Sequence, residues 1–339
     1  MLISSNMLNT RLHYIDLAKG ILILMVAYGH VWYRVCHTDG NNNAYMEDMH
    51  EVVNLWVAFF MPAFFMITGM CTNFDKTRKT FFLNQVKTIL IPAFALGVIS
   101  HGLEWALAGK GFSLGIVAFL KGNTYWFLFA LFTSKVIYYA LRKLFRTLKR
   151  IAAATFILFI LSVFVHEFLP QLPNYWCWTH ALGLIPFLAI GQIVRKCELL
   201  ENTRFILISG GVYTIILTIY LLLGITIPRI TGGIHLPVFQ IFPYLVLSCT
   251  GSVVLLFICK MLGRAHLLES LGKHSLVIYC LHECMLTILS PLLGDKIVLA
   301  TLPQAFVYYT MLLVYVVVMS WLLSRLLNKK PISFLIGKF

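Results

Sequence analysis

The sequence predicts an all-α fold, a polytopic bundle of about ten transmembrane helices. Of its 339 residues, 60% are hydrophobic and only 12% are charged, and the mean hydropathy is +0.84. A soluble globular domain is about half apolar and a quarter charged. Apolar stretches of roughly 20 residues, the length that crosses a bilayer, recur along the whole chain between short polar connectors. We therefore expect one integral membrane domain over residues 1–339, without an appended soluble domain.

Each predicted span is centred on one of these apolar stretches. Inside a bilayer the backbone must satisfy its own hydrogen bonds, and a helix does so within one segment. An even number of spans puts both termini on the same side of the membrane. The ten spans are Tyr14–Tyr33, Val52–Cys71, Phe82–Ala108, Tyr125–Leu141, Ile151–Phe168, Thr179–Val194, Phe205–Ile227, Gln240–Leu262, Ser275–Leu293 and Pro303–Leu323.

The distribution of basic residues orients the bundle. The chain has 27 lysines and arginines and a net charge of +14. In this arrangement most of them fall on the side of the termini, which the positive-inside rule makes cytoplasmic. Topology and anionic membrane lipid explain such a face without nucleic acid, and it could also attract a phosphate-rich cofactor. The opposite loops hold Arg34, Lys110, Lys121, Arg229 and Lys296, and two lysines, Lys87 and Lys135, lie within spans.

Three polar side chains interrupt the first span, "DLAKGILILMVAYGH", which runs from Asp16 to His30. An α-helix turns about 100° and rises about 1.5 Å per residue, so Lys19 and His30 share a face about 16 Å apart along the axis. Asp16 is one turn from Lys19 and close enough for an ion pair. A lysine that snorkels, an acid at the helix start and a packing histidine would explain them structurally. A polar group deep in a bilayer is costly, which favours a functional site.

Several motifs in order resemble those of the acyltransferase-3 family of integral membrane acyltransferases. The first is a basic residue and a histidine eleven positions apart on span one, here Lys19 and His30. The family has arginine where this chain has Lys19, and serine-glycine where it has Thr68-Gly69. The others read "FFMPAFFMITGM" followed by "DKTRK", then "VKTILIPAF", "YWFLFALF" and "LGKHSLVIYCLHE".

The resemblance implies transfer of an acyl group, commonly acetyl from acetyl-CoA, to a hydroxyl of a glycan or glycolipid acceptor. An alcohol needs a base to become a nucleophile at neutral pH, and histidine suits that role. His30 would take the hydroxyl proton or carry the acyl group itself, and the sequence does not separate the two routes. On the ninth span, Tyr279 and His282 share a face with Ser275 and could hold an oxyanion or relay a proton. The structural alternative for Tyr279 is a core aromatic whose hydroxyl is already hydrogen-bonded. Glu283 would point about 100° away from His282.

Binding candidates follow from position along the spans. Near the cytoplasmic side, Lys19, Asp16 and Lys87 would hold the donor, Lys87 beside a break in the third span at Pro92. Snorkelling and the packing of a kinked helix are the structural alternatives. Near the outer side, the substrate-binding candidates are His101, Glu104 and Trp126, for which an interfacial hydrogen bond or a membrane anchor is the alternative.

Other functions are compatible with ten spans and intramembrane histidines. A secondary transporter or flippase for a sugar-lipid or small solute is the main alternative, although the two halves of the chain show no clear repeat. A structural partner in a polysaccharide assembly complex would leave His30 and His282 without a role. No metal-ligand spacing is evident, so no metal is expected. We expect a multi-pass protein of a bacterial cytoplasmic (inner) membrane, and the sequence leaves the acceptor and oligomeric state open.

Overall fold

A helical bundle accounts for nearly all of the structure, a computed structural model that describes residues 12–36, 51–109, 111, 117, 121–122, 125–231, 233–293 and 301–338. Of the residues that the structure describes, 81% are helical, which confirms the predicted fold class. The helices are α1 His13–Cys36, α2 Phe60–Cys71, α3 Arg78–Gln85, α4 Ile91–Ala108, α5 Trp126–Leu144, α6 Leu148–Phe168, α7 Trp178–Lys196, α8 Thr203–Leu222, α9 Ile241–Leu262, α10 His266–Lys273, α11 Ser275–Leu293 and α12 Leu302–Leu327.

Seven helical segments of the described chain are long and apolar enough to cross a membrane. They are His13–Tyr33, Arg78–Leu107, Leu148–Phe168, Tyr175–Lys196, Thr203–Leu222, Val238–Leu262 and Leu302–Leu327. Helices also occupy the other three predicted spans. However, α2 has only 12 residues, α5 contains charged residues, and the described apolar part of α11 ends at Leu289. The membrane bundle is thus confirmed, while the number of ten spans stays a prediction.

Two features of the backbone were not predicted. A π-helical turn, Val86–Leu90, joins α3 to α4, so the irregularity of the third span precedes Pro92, which lies in the first turn of α4. A small antiparallel hairpin between α8 and α9 consists of β1, Arg229–Ile230, and β2, Ile234–His235. Two-residue strands are too short to leave an alternation pattern in the sequence.

Close helix packing depends on glycines that face backbone. A Cβ on Gly191 in α7 would lie 2.0 Å from the carbonyl oxygen of Met66 in α2, and a Cβ on Gly69 would lie 2.2 Å from that of Leu188. The same holds between α1 and α10, where a Cβ on Gly272 would meet the Asp16 carbonyl at 1.8 Å. Small residues let membrane helices approach closely. These contacts fix the height of α1 and α2 in the bundle.

One end of the bundle collects basic side chains, and we call it the basic end. Arg142 at the end of α5 pairs with Asp75 at 2.5 Å and donates to Gln192 at 3.0 Å. Arg195, near the end of α7, donates to the Met70 carbonyl at 2.5 Å. Lys260 of α9 also pairs with Glu201 there. These contacts connect α5 and α9 with the segments that follow α2 and α7, and the orientation of this end in the membrane stays a prediction.

Candidate active site

Two helices far apart in sequence bring His30, His282 and Glu283 together. α1 carries His30, and α11 carries the other two residues. The imidazoles of His30 and His282 meet edge to face, with ring centroids 4.6 Å apart. The Nδ1 atom of His30 is hydrogen-bonded to a carboxylate oxygen of Glu283. The expectation that Glu283 points away is therefore wrong, because α1 packs between the faces of α11 that carry residues 282 and 283.

His282 is oriented by the backbone of its own helix. It is only 2% exposed, and its Nδ1 atom lies 2.6 Å from the Tyr279 carbonyl oxygen and 3.2 Å from that of Ile278. Because carbonyls only accept, Nδ1 carries the proton and the lone pair is on Nε2. Nε2 is buried and has no hydrogen-bond partner among the described residues. A buried acceptor without a partner is uncommon in proteins. Such atoms occur in catalytic sites and where a water molecule or an ion binds.

Tyr279 packs beside this cluster, although its hydroxyl serves another contact. The Tyr279 ring centroid is 5.8 Å from that of His282. Its hydroxyl oxygen accepts from the backbone amide of Phe127 at 3.3 Å, close to the start of α5. Tyr279 therefore connects α11 to α5 by this hydrogen bond and packs beside the ring of His282. Its catalytic role stays a prediction.

His30 opens onto a cavity of about 470 Å³. The cavity is mostly apolar and aromatic, with a few polar groups, as ligand sites in proteins usually are. The hairpin contributes one wall, and α1, α2, α5, α11 and the segment before α2 contribute the others. Among its lining residues are His30, Glu283, Trp32, Tyr33, Trp56, Phe60, Trp126, Arg229, Thr231 and His235. The imidazole predicted to be catalytic thus faces a space large enough for a sugar.

Of the three substrate-binding candidates, one lines the cavity and two do not. Trp126 lines the cavity, as a substrate-binding residue should. His101 and Glu104, on α4, are not among the lining residues, and the structure shows no hydrogen bond between them. The Nε2 atom of His101 is buried without a partner among the described residues. Their role in substrate binding stays a prediction without support from their position.

The donor-binding candidates lie away from the cavity. Asp16 is 4% exposed, and Lys19 is half-buried. Lys87 is exposed on the π-helical turn. None of the three lines the cavity around His30. Lys135, in the middle of α5, is only 8% exposed and interacts electrostatically with Lys19 and Cys71. Lys135 lies within a predicted span and was not among the predicted site residues.

The same cluster could bind a metal ion. One ligand atom from each of His30, His282 and Glu283 lies within 4.8 Å of the others. Two imidazoles and a carboxylate are a ligand set that zinc accepts. Sequence spacing did not reveal it because the first histidine is more than 250 positions from the other two groups.

A histidine that is paired with a carboxylate at the wall of a cavity has the arrangement that general-base catalysis uses. Family comparison identifies the class of protein. The model of the acyltransferase-3 family, described as an acyltransferase domain, matches residues 12–325, and the chain belongs to this family. No curated protein and no solved structure matches the chain.

Proposed function

We propose that this membrane acyltransferase moves an acetyl group from cytosolic acetyl-CoA to a hydroxyl of a surface or exported glycan or glycolipid, with His30 as the general base. The observation that carries the proposal is the His30–Glu283 pair at the cavity wall. Glu283 accepts from Nδ1–H, which leaves the lone pair of His30 on Nε2. The carboxylate also stabilises the positive charge that the ring acquires when it takes a proton, as in other base–orienter pairs.

The chemical step needs one base and no resident cofactor. His30 Nε2 takes the proton of the acceptor hydroxyl while the oxygen attacks the thioester carbonyl carbon. The tetrahedral intermediate then breaks its carbon–sulfur bond, and the thiolate of CoA leaves with the proton from His30. His282 packs against the edge of the His30 ring and limits its rotation, so it acts as a positioning residue.

Two lysines, Lys135 and Lys19, support binding of the donor. Lys135 is a buried cation, and no hydrogen bond or ion pair connects it with a described residue. A buried charge without a counter-ion is costly, and a ligand phosphate would offset that cost. Lys19 lies on the same face of α1 as His30, about 16 Å away along the helix axis. We propose that the phosphates of CoA bind near Lys19 and Lys135 while its flexible arm extends toward His30.

Removal of the His30 imidazole tests the proposal. General-base catalysis contributes about 10²–10⁴-fold, so His30→Ala should lower acetylation at least about 100-fold. Alkali-labile acetate on surface glycans, quantified by mass spectrometry in cells that produce either variant, gives the readout. His266→Ala removes an exposed histidine at the start of α10 and should leave acetylation unchanged. Near wild-type acetylation by a folded His30→Ala protein would exclude the mechanism.

A further inference from the structure

The hairpin between α8 and α9 presents an arginine to the active-site cavity. Arg229 and His235 are directly opposite each other in the two-stranded ladder. Residues opposite each other in an antiparallel pair project from the same face. Both side chains line the cavity that His30 lines, together with Thr231 from the connecting turn. The hairpin thus brings a group of polar side chains to the wall of a mainly aromatic space.

Arg229 provides a permanent positive charge in this cavity. Its guanidinium is half-buried, and it makes no hydrogen bond or ion pair with any residue that the structure describes. Burial lowers its pKa from the ordinary value, although an arginine stays protonated in proteins. The pKa of His235 is lowered as well, first by burial and then by the charges of Arg229 and His166.

Among the lining residues that the structure describes, no acid is available to neutralise Arg229. Glu283 is the one carboxylate among the described lining residues, and it is engaged with His30. A half-buried charge without a partner is unfavourable, so a bound anion would stabilise it. The planar guanidinium fork matches the two oxygens of a carboxylate or phosphate.

The remaining walls suit a sugar ring. Trp56 and Trp126 offer flat indole faces that are apolar with a polar edge. The Nε1 atom of Trp56 is buried without a hydrogen-bond partner among the described residues, which is uncommon for a polar group. Its ring is held edge to face by Tyr28, with centroids 5.6 Å apart.

We propose that the cavity selects an anionic acceptor, a sugar that carries a carboxylate or phosphate, which Arg229 binds while His30 meets the hydroxyl to be acylated. This specificity rests on the proposed function, because it treats the cavity as the acceptor site. The neutral part of the ring packs on the tryptophans, and the anion fixes which hydroxyl reaches His30.

Calorimetric binding of simple sugars to the purified full chain in phosphatidylcholine nanodiscs tests the proposal. The probes are methyl β-glucoside, methyl β-glucuronide and methyl β-glucoside 6-phosphate. Wild-type protein should bind at least one anionic probe about 10- to 100-fold more tightly than the neutral one, the effect of a charge-assisted contact. Arg229→Gln should remove this preference without weakening the neutral probe. Arg229→Lys should restore part of it, since it keeps the charge but not the fork.

Two controls separate the alternatives. Lys121→Gln removes an exposed positive charge outside the cavity lining and should leave all three affinities unchanged. If Arg229 serves a phospholipid headgroup instead, Arg229→Gln weakens association of phosphatidylglycerol with the protein and the sugars bind equally, which overturns the proposal. Equal binding of neutral and anionic sugars by the wild type also overturns it.

The proposed function is judged by a different readout. Loss of acetyl transfer in His30→Ala with equal sugar affinities refutes the anionic acceptor and keeps the enzyme. Anion-selective binding that depends on Arg229, in a protein whose acetyl transfer survives His30→Ala, refutes the catalytic mechanism and keeps the binding site.

Discussion

Replacement of Glu283 by glutamine isolates the charge that supports His30. The variant keeps the size of the side chain and an oxygen that can accept from Nδ1–H, but it removes the negative charge. A hydrogen bond to a charged group contributes about 1.5–3 kcal/mol. The side chains of His30 and Glu283 are 36% and 40% exposed, so solvent screening favours the lower part of that range. About 1.5–2 kcal/mol corresponds to roughly a 10- to 30-fold loss of kcat.

The kinetic assay follows CoA thiol release that depends on acceptor, with the purified protein in nanodiscs. Glu283→Gln should lower kcat and leave the KM for acetyl-CoA unchanged, because the basic end does not contact Glu283. Glu167→Gln changes an exposed carboxyl of α6 in the same way and serves as the matched control. A Glu283→Gln enzyme with wild-type kcat would refute the idea that this carboxylate stabilises the charged imidazole.

Two further predictions concern the donor site and the packing. Lys135→Met should raise the KM for acetyl-CoA about 10-fold without lowering thermal stability, since loss of an unpaired buried charge is neutral or stabilising. Lys149→Met changes an exposed lysine and is the control. An unchanged KM in Lys135→Met would contradict donor binding by Lys135. Gly191→Ala should lower the Tm measured in detergent, because its Cβ would lie 2.0 Å from a carbonyl oxygen. Gly211→Ala, with open space around it, should not lower the Tm, and equal effects of both changes would contradict the packing argument.

Local patterns along the chain were sufficient to predict the bundle. Apolar length and the lack of charge decide whether a segment enters a membrane, and both are properties of a single segment. The helices of α1, α6 and α9 therefore appear close to their predicted positions. The shortness of α2 was not predictable in this way, because α2 is packed closely against α7 and that contact is not a property of its own segment.

The site was predicted only in part, for a physical reason. His30 and His282 interrupt apolar segments, and the cost of a polar group in a bilayer makes such residues visible in a sequence. Glu283 is also a polar residue in an apolar segment, beside His282. Helix geometry alone predicted that its side chain points away from the site. Arg229 lies in a connecting segment where an arginine is ordinary, so nothing in the sequence marked it.

The sequence by itself determined that this chain is a helical membrane protein with a histidine inside its first span, because hydropathy and helical periodicity are local. Only the tertiary structure decided what that histidine meets. The packing of α1 on α11 placed a carboxylate on His30, and the connection between α8 and α9 placed a hairpin at the cavity. Both depend on contacts between side chains far apart in the sequence.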